Sequence, residues 1–305
     1  MRKLKLFVCI FILFVTFHQS FAQMGWTRIN LGSIDLKKTI FIDENTGFSV
    51  GQGGSQSNIY KTTNSGLNWT LKFASPPDYT NFWSVSFINS NTGYVVGEKQ
   101  EVDGYLFMKT TNAGDSWVSQ SLSISNSELL LDIYFYDALT GYISGTNGTM
   151  LKSTNGGLNW QTLNTGTTFN LRVIQIGKNN PNYVYTVGSR ANLLASTNAG
   201  LSWNVIPFPS GERITSLSFA NSNTGYAAGY TDIPGNNKPT IHKTTNAGLN
   251  WVSLTSNLPV HQYNWGAVVM CFVNENTGFI TGSHIDKTTN GGLNWKVQDA
   301  TTSPW

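Results

Sequence analysis

Apolar residues in this chain come in short runs closed by turns rich in glycine, asparagine and threonine, and the runs recur in one order. Thr39–Ile42 leads to an Asn-Thr-Gly turn, and Phe48–Gly51 follows it. Asn58–Thr62 leads to an Asn-x-Gly turn, and a fourth run begins at Trp69. Each run has strand length and is bounded by turn residues. No stretch places its apolar positions at helical spacing. The pattern predicts antiparallel strands joined in fours.

The unit repeats. KTTNSGLNW (61–69) returns as KTTNAGDSW, KSTNGGLNW, ASTNAGLSW, KTTNAGLNW and KTTNGGLNW, ending at Trp117, Trp160, Trp203, Trp251 and Trp295. A second signal keeps the same period: ENTGFSVG (44–51), SNTGYVVG (90–97), ALTGYISG (138–145), SNTGYAAG (222–229) and ENTGFITG (275–282). Asn180-Pro181-Asn182-Tyr183 with Val187-Gly188 is a degenerate sixth copy. Six positions before the turn glycine stand Phe41, Phe87, Phe135, Phe219 and Phe272, with Ile176 in the degenerate unit. A period of roughly 40–50 residues with four short strands per unit is that of a propeller blade. The expected fold is all-β, a β-propeller of four-stranded antiparallel blades. Six complete units argue for six blades. Seven is the alternative, because Gly25-Trp26-Thr27-Arg28-Ile29 reads as a lone fourth strand.

The repeated turn has a local cause. Asn64 can fold its side-chain carbonyl onto backbone N–H groups and imitate a backbone turn. Gly66 supplies a positive φ. Trp69 then brings a large ring to bury between sheets. These residues are expected to be scaffold. Thr62-x-Asn64-x-Gly66-x-Asn68-Trp69 resembles the Asp-box of bacterial neuraminidase repeats, with asparagine replacing aspartate in all six copies. Pairing of that box with a preceding G-[YF]-x-x-G strand resembles the photosystem II assembly and stability factor-like propellers, over residues 26 to 300. The resemblance implies the propeller fold and a protein partner. It says little of chemistry, since Asp-boxes occur in sialidases, other glycosidases and non-catalytic scaffolds alike.

The first 22 residues read as a secretory leader: a basic start, an apolar run from Leu6 to Phe17, and a Ser20-Phe21-Ala22 cleavage site. Residues 23–305 are then a single propeller domain, expected to be periplasmic or extracellular, monomeric and without stable membrane insertion. The leader holds Arg2, Lys3 and Lys5 and no acid, so its removal takes the formal charge from +3 to zero. A nucleic-acid partner therefore has neither charge nor motif behind it. The chain has two cysteines in all, so cohesion must come from packing rather than a disulfide framework.

Function is expected where the copies differ. In an antiparallel blade the one-to-two and three-to-four turns share one face, and these are the repeated ones. The opposite face carries variable loops, with Pro76, Pro77, Tyr79, Pro207, Phe208, Pro209, His261, Tyr263 and Trp265. The mature chain has four arginines. Arg172, Arg190 and Arg213 are expected near the channel mouth on this face, with Lys37 and Trp83 in the strand position equivalent to Arg172. Together they could clamp a carboxylate. Tyr79, Trp83, Tyr263 and Trp265 are the candidates for stacking on a glycan. A sialidase-like hydrolase would need an arginine triad and paired acids across the mouth. Thr27-Arg28-Ile29-Asn30 lacks the aromatic and the proline of the sialidase arginine motif, and no glutamate has a distinguishing context. His242, His261 and His284 are not at metal-ligand spacing. The expectation is a non-catalytic exported scaffold with no cofactor or metal, binding a protein through its variable face, with a glycan-binding module or a sialidase-like glycoside hydrolase as the alternative.

Overall fold

The computed structural model describes residues 34–75, 80–99, 104–125, 128–188, 192–208, 212–231, 238–255, 258, 269–281 and 285–298. Within them lie six four-stranded antiparallel sheets, each made from consecutive strands. The first pairs Ile34–Phe41, Gly47–Gly53, Gln56–Thr62 and Thr70–Ala74 in that order. The inner strands of blades two to six are Thr80–Phe87, Leu130–Phe135, Leu171–Ile176, Glu212–Phe219 and Val269–Phe272. From blade two to blade six, each packs against the inner and second strands of the blade before it. The result is a six-bladed β-propeller. The leader, the Trp26 strand and the C-terminal residues fall outside the described residues.

Outer strands start one residue after the expected tryptophan, and in blades two, three, five and six they are two residues long. Each tryptophan instead closes its turn and packs inward. In five blades its ring meets the inner-strand phenylalanine of its own blade edge-on: Phe87–Trp117 at 6.0 Å and Phe135–Trp160 at 5.7 Å, with Phe41–Trp69, Phe219–Trp251 and Phe272–Trp295 alike, while Trp203 packs on the cluster of Ile174 and Ile176. Edge-to-face geometry at these distances is favourable beyond the area buried. The same phenylalanines stack on the second-strand aromatic of the preceding blade, as in Phe48–Phe87 at 4.0 Å and Tyr185–Phe219 at 4.3 Å. The columns of aromatics in the sequence thus stack across four blade boundaries, with Ile176 interrupting them at blade four.

All six boxes make the same hydrogen bonds. In the first, the Thr62 hydroxyl donates to Asn64 Oδ1 and accepts from Gly66 N–H, while Asn68 N–H donates to the same Asn64 Oδ1. One amide oxygen takes both bonds, so a second carboxylate oxygen is not needed and asparagine serves where relatives use aspartate. The residue before the box glycine has positive φ in every blade, as Ser65, Ala113, Gly156, Ala199, Ala247 or Gly291.

That residue also joins blades. Its N–H donates to the first turn of its own blade, as Ala113 does to Asn91 O and Ala247 to Asn223 O. Its carbonyl accepts from the blade before. Tyr94 Oη reaches Gly156 O at 2.6 Å, Tyr142 reaches Ala199 O, Tyr185 reaches Ala247 O at 2.7 Å and Tyr226 reaches Gly291 O. Blade one has Phe48 at this position, and there Lys61 Nζ donates to Ala113 O at 2.8 Å. The repeated turn is therefore an interlock between neighbours, which is why it recurs.

Among these phenols, burial pushes Tyr142 and Tyr226 up to about 12. The unfolded chain releases the protons near pH 10, whereas the fold keeps them until about pH 12. Their contribution is therefore complete below pH 10 and is lost as pH rises towards 12. Urea unfolding should show stability falling across that window. The Tyr142→Phe/Tyr226→Phe variant should flatten the fall while losing about 1 kcal/mol per hydroxyl at neutral pH.

Candidate functional site

The second glycine of each G-[YF]-x-x-G strand has a specific task. A Cβ on Gly51, Gly97, Gly145, Gly188 or Gly229 would lie 2.4, 1.9, 2.2, 2.6 or 1.8 Å from the backbone oxygen of Asp35, Asn81, Leu129, Asn170 or Arg213. The inner strand crowds in there because it carries a β-bulge at that level. Strand register shifts between Leu36 and Lys38, Phe82 and Ser84, Leu171 and Val173, and Ile214 and Ser216, and opposite Ser144/Gly145 in blade three. The extra residues are Lys37, Trp83, Leu131, Arg172 and Thr215. A bulge re-aims the side chain it carries. Five neighbouring blades thus present one re-aimed residue each, at one level, on the variable-loop side of the ring.

Two of these residues meet. Lys37 Nζ sits 5.2 Å from the centre of the Trp83 ring and is ion-paired to Asp35. Arg172 is exposed, and Leu131 and Thr215 are half-buried. Arg213 lies two residues before the bulge of its own blade and is exposed, so it is offset from Arg172 rather than in its column. Arg190, Tyr79, Tyr263 and Trp265 lie outside the described residues. Lys37, Trp83 and Arg172 do share a level, as the sequence alignment of units predicts. The Asp35 partner and the cover that Lys37 lays on Trp83 were not predicted. Phe208, expected as an exposed loop aromatic, is buried against His242 and Trp251. The chain leaves its outer strand at Pro207 with Phe208 turned into the next blade.

Beneath the bulges lies a residue that the sequence did not single out. Asp132 is 3% exposed. Its Oδ1 accepts from Ser84 Oγ at 2.6 Å, from Ile133 N–H at 3.0 Å and from Lys38 Nζ at 3.2 Å, and its Oδ2 accepts from Ile174 N–H at 2.8 Å. One carboxylate therefore ties blades one, two, three and four together. Elsewhere serines do the lesser version of this: Phe135 N–H donates to Ser86, Met270 N–H to Ser216 and Phe272 N–H to Ser218. The inner edge of each sheet would otherwise leave these N–H groups without acceptors.

Three further carboxylates near this face, among the described residues, are also engaged. Glu98 accepts from Asn81, Glu128 from Thr146 and Thr149, and Glu212 Oε2 lies 2.6 Å from His242 Nε2. Among the described residues, no cluster of three metal-ligating side chains occurs. What the arrangement offers is a surface of two exposed guanidiniums, Arg172 in the bulge column and Arg213 offset from it, one ammonium stacked on an indole, and fixed polar groups behind them.

Fold and repeats define the class: the chain is a β-propeller of the BNR, or Asp-box, type. Within that class part of it is similar to the photosystem II assembly factors. The model of the family described as photosynthesis system II assembly factor YCF48 matches residues 110–257, a little under half of the chain. Among solved structures, YCF48 bound to a D1 peptide is similar at 17% identity and a TM-score of 0.64, covering 87% of this chain and 82% of that one. YCF48 from Cyanidioschyzon merolae matches at 15% identity and a TM-score of 0.64, covering 90% and 88%. The GH74 enzyme of Niastella koreensis matches at 15% identity and a TM-score of 0.67, over 86% of this chain but 46% of the enzyme. This chain thus spans under half the length of that enzyme. None of the curated proteins matches the sequence.

Proposed function

We propose that this protein is a non-catalytic, exported scaffold that binds a segment of another protein across the variable-loop mouth of the propeller. The observation that carries the reading is the bulge column, which spends a glycine in each of five blades to hold Lys37, Trp83, Leu131, Arg172 and Thr215 at one level. Such a row of cationic, aromatic and apolar groups suits an extended peptide with a carboxylate. The similar propeller seen with a D1 peptide supports a peptide as the type of ligand. Engagement of Glu98, Glu128, Asp132 and Glu212 in fixed bonds favours a binding surface over an acid–base pair. The Lys37 ammonium over Trp83 favours a peptide over a stacked sugar.

The test is a crosslinked pull-down from the native envelope with wild type and an Arg172→Ala/Arg190→Ala/Arg213→Ala variant. A specific protein should be captured by wild type and fall about tenfold or more with the variant, the loss expected for one charge-assisted contact. Capture should weaken as salt is raised. The same set of proteins from both baits would overturn the assignment.

A further inference from the structure

The repeated turns carry a feature that their role as interlocks does not require. Between the box glycine and the tryptophan stand Leu67, Leu158, Leu201, Leu249 and Leu293, with Asp115 in blade two. These leucines are 48, 72, 77, 55 and 57% exposed. A position left this open gains nothing for the fold from an apolar side chain, and isolated exposed leucines need no account. Here the same position is leucine in all but one unit, so the turn face presents an interrupted ring of apolar tips.

Charge around the tips is positive in the turns themselves. Lys61, Lys109, Lys152, Lys243 and Lys287 precede their boxes, and each lies over the aromatic paired with it across the blade, as Lys109 does over Tyr94 at 5.4 Å. These ammoniums are held by rings, or by carbonyls as for Lys61 and Lys152, and together with Lys178 they outnumber Asp43, Glu44, Asp137 and Glu275, the acids of the first turns on the same face. Asp115 is the one acid in the boxes and is paired with Lys72. Beside Leu67, a shallow cavity of about 190 Å³ is lined by Lys61, Asn64, Asn68, Thr70 and Lys72.

We infer that this face docks on a lipid bilayer carrying anionic headgroups, with the leucines as shallow insertions. Single tips separated by asparagine, serine and threonine bury little area against a rigid flat partner. A deformable apolar layer admits each tip separately, and the lysines then meet the headgroups. Docking in this way leaves the variable-loop mouth facing away from the membrane, open to a partner.

Flotation with vesicles of phosphatidylcholine and phosphatidylglycerol tests this, using wild type and a variant with all five leucines replaced (Leu67→Asn, Leu158→Asn, Leu201→Asn, Leu249→Asn, Leu293→Asn). Wild type should float, and the variant should partition about tenfold or more weakly. Leu36→Asn, at an exposed site on the opposite end of its blade, should float as wild type does. An unchanged thermal melt will show that the variant is folded. Failure of wild type to float, or equal flotation of wild type and the folded five-site variant, would overturn the inference.

Discussion

Replacing Asp132 by alanine should cost about 3–5 kcal/mol of folding stability, more than any loop substitution in the molecule. Alanine would leave Lys38 without its counter-charge, and Ser84 and the Ile174 N–H without their acceptor. The size of the effect follows from removing one partner of a buried set, not from the strength of the set. Two further variants separate these. Asp132→Asn keeps an oxygen for Ser84 or for Ile174 and should lose less. Lys38→Met combined with Asp132→Leu, which removes the charges together, should recover part of the loss. Urea unfolding of the four proteins checks this. Equal stability of wild type and Asp132→Ala would show that the carboxylate does not tie the blades.

The second large effect is expected at Gly229. An alanine Cβ there would stand 1.8 Å from Arg213 O, and a backbone atom cannot yield as a flexible side chain can. Either the bulge at Thr215 is lost or the inner strand moves away, at about 3 kcal/mol or more, the upper part of the range for overpacking. Gly54 provides the control. Nothing lies within 4 Å of its Cβ position and its φ is +66°. Asparagine tolerates that conformation, so Gly54→Asn should stay within about 1 kcal/mol of wild type. Denaturation midpoints of the two variants compare the effects. A Gly229→Ala protein as stable as Gly54→Asn would disprove the role given to the second glycine.

Much of this architecture was legible in the sequence because each unit states it again. Phe41, Phe87 and Phe135 announce a core column only because they stand at one offset from one turn. The same alignment put Lys37, Trp83 and Arg172 at a shared level, and the bulge makes that level a surface. The bulge itself had a sequence signal in the second glycine, since a strand interior seldom keeps glycine without a close approach. Asp132 had none. In the chain it is a single acid in a strand, and its meaning depends on Lys38, Ser84 and Ile174, which three other blades supply. Phe208 misled for a related reason: prolines on both sides give it the look of a loop, and only packing against His242 in the following blade buries it. Local chemistry was readable where it repeated. Contacts between blades were readable only where both partners repeated too.

The direction of the interlock has a consequence for how the chain matures. The acceptor for each phenol lies in the following blade, 62 residues on for Tyr94 and Tyr185 and 57 for Tyr142. A chain emerging from its N-terminus therefore completes each blade before the group that fastens it has appeared. Sheets two to five each wait, with one hydroxyl lacking its acceptor, for the second hairpin of the successor. Assembly then proceeds as a zipper running with synthesis, and a chain stopped after blade four would leave Tyr185 without the carbonyl of Ala247.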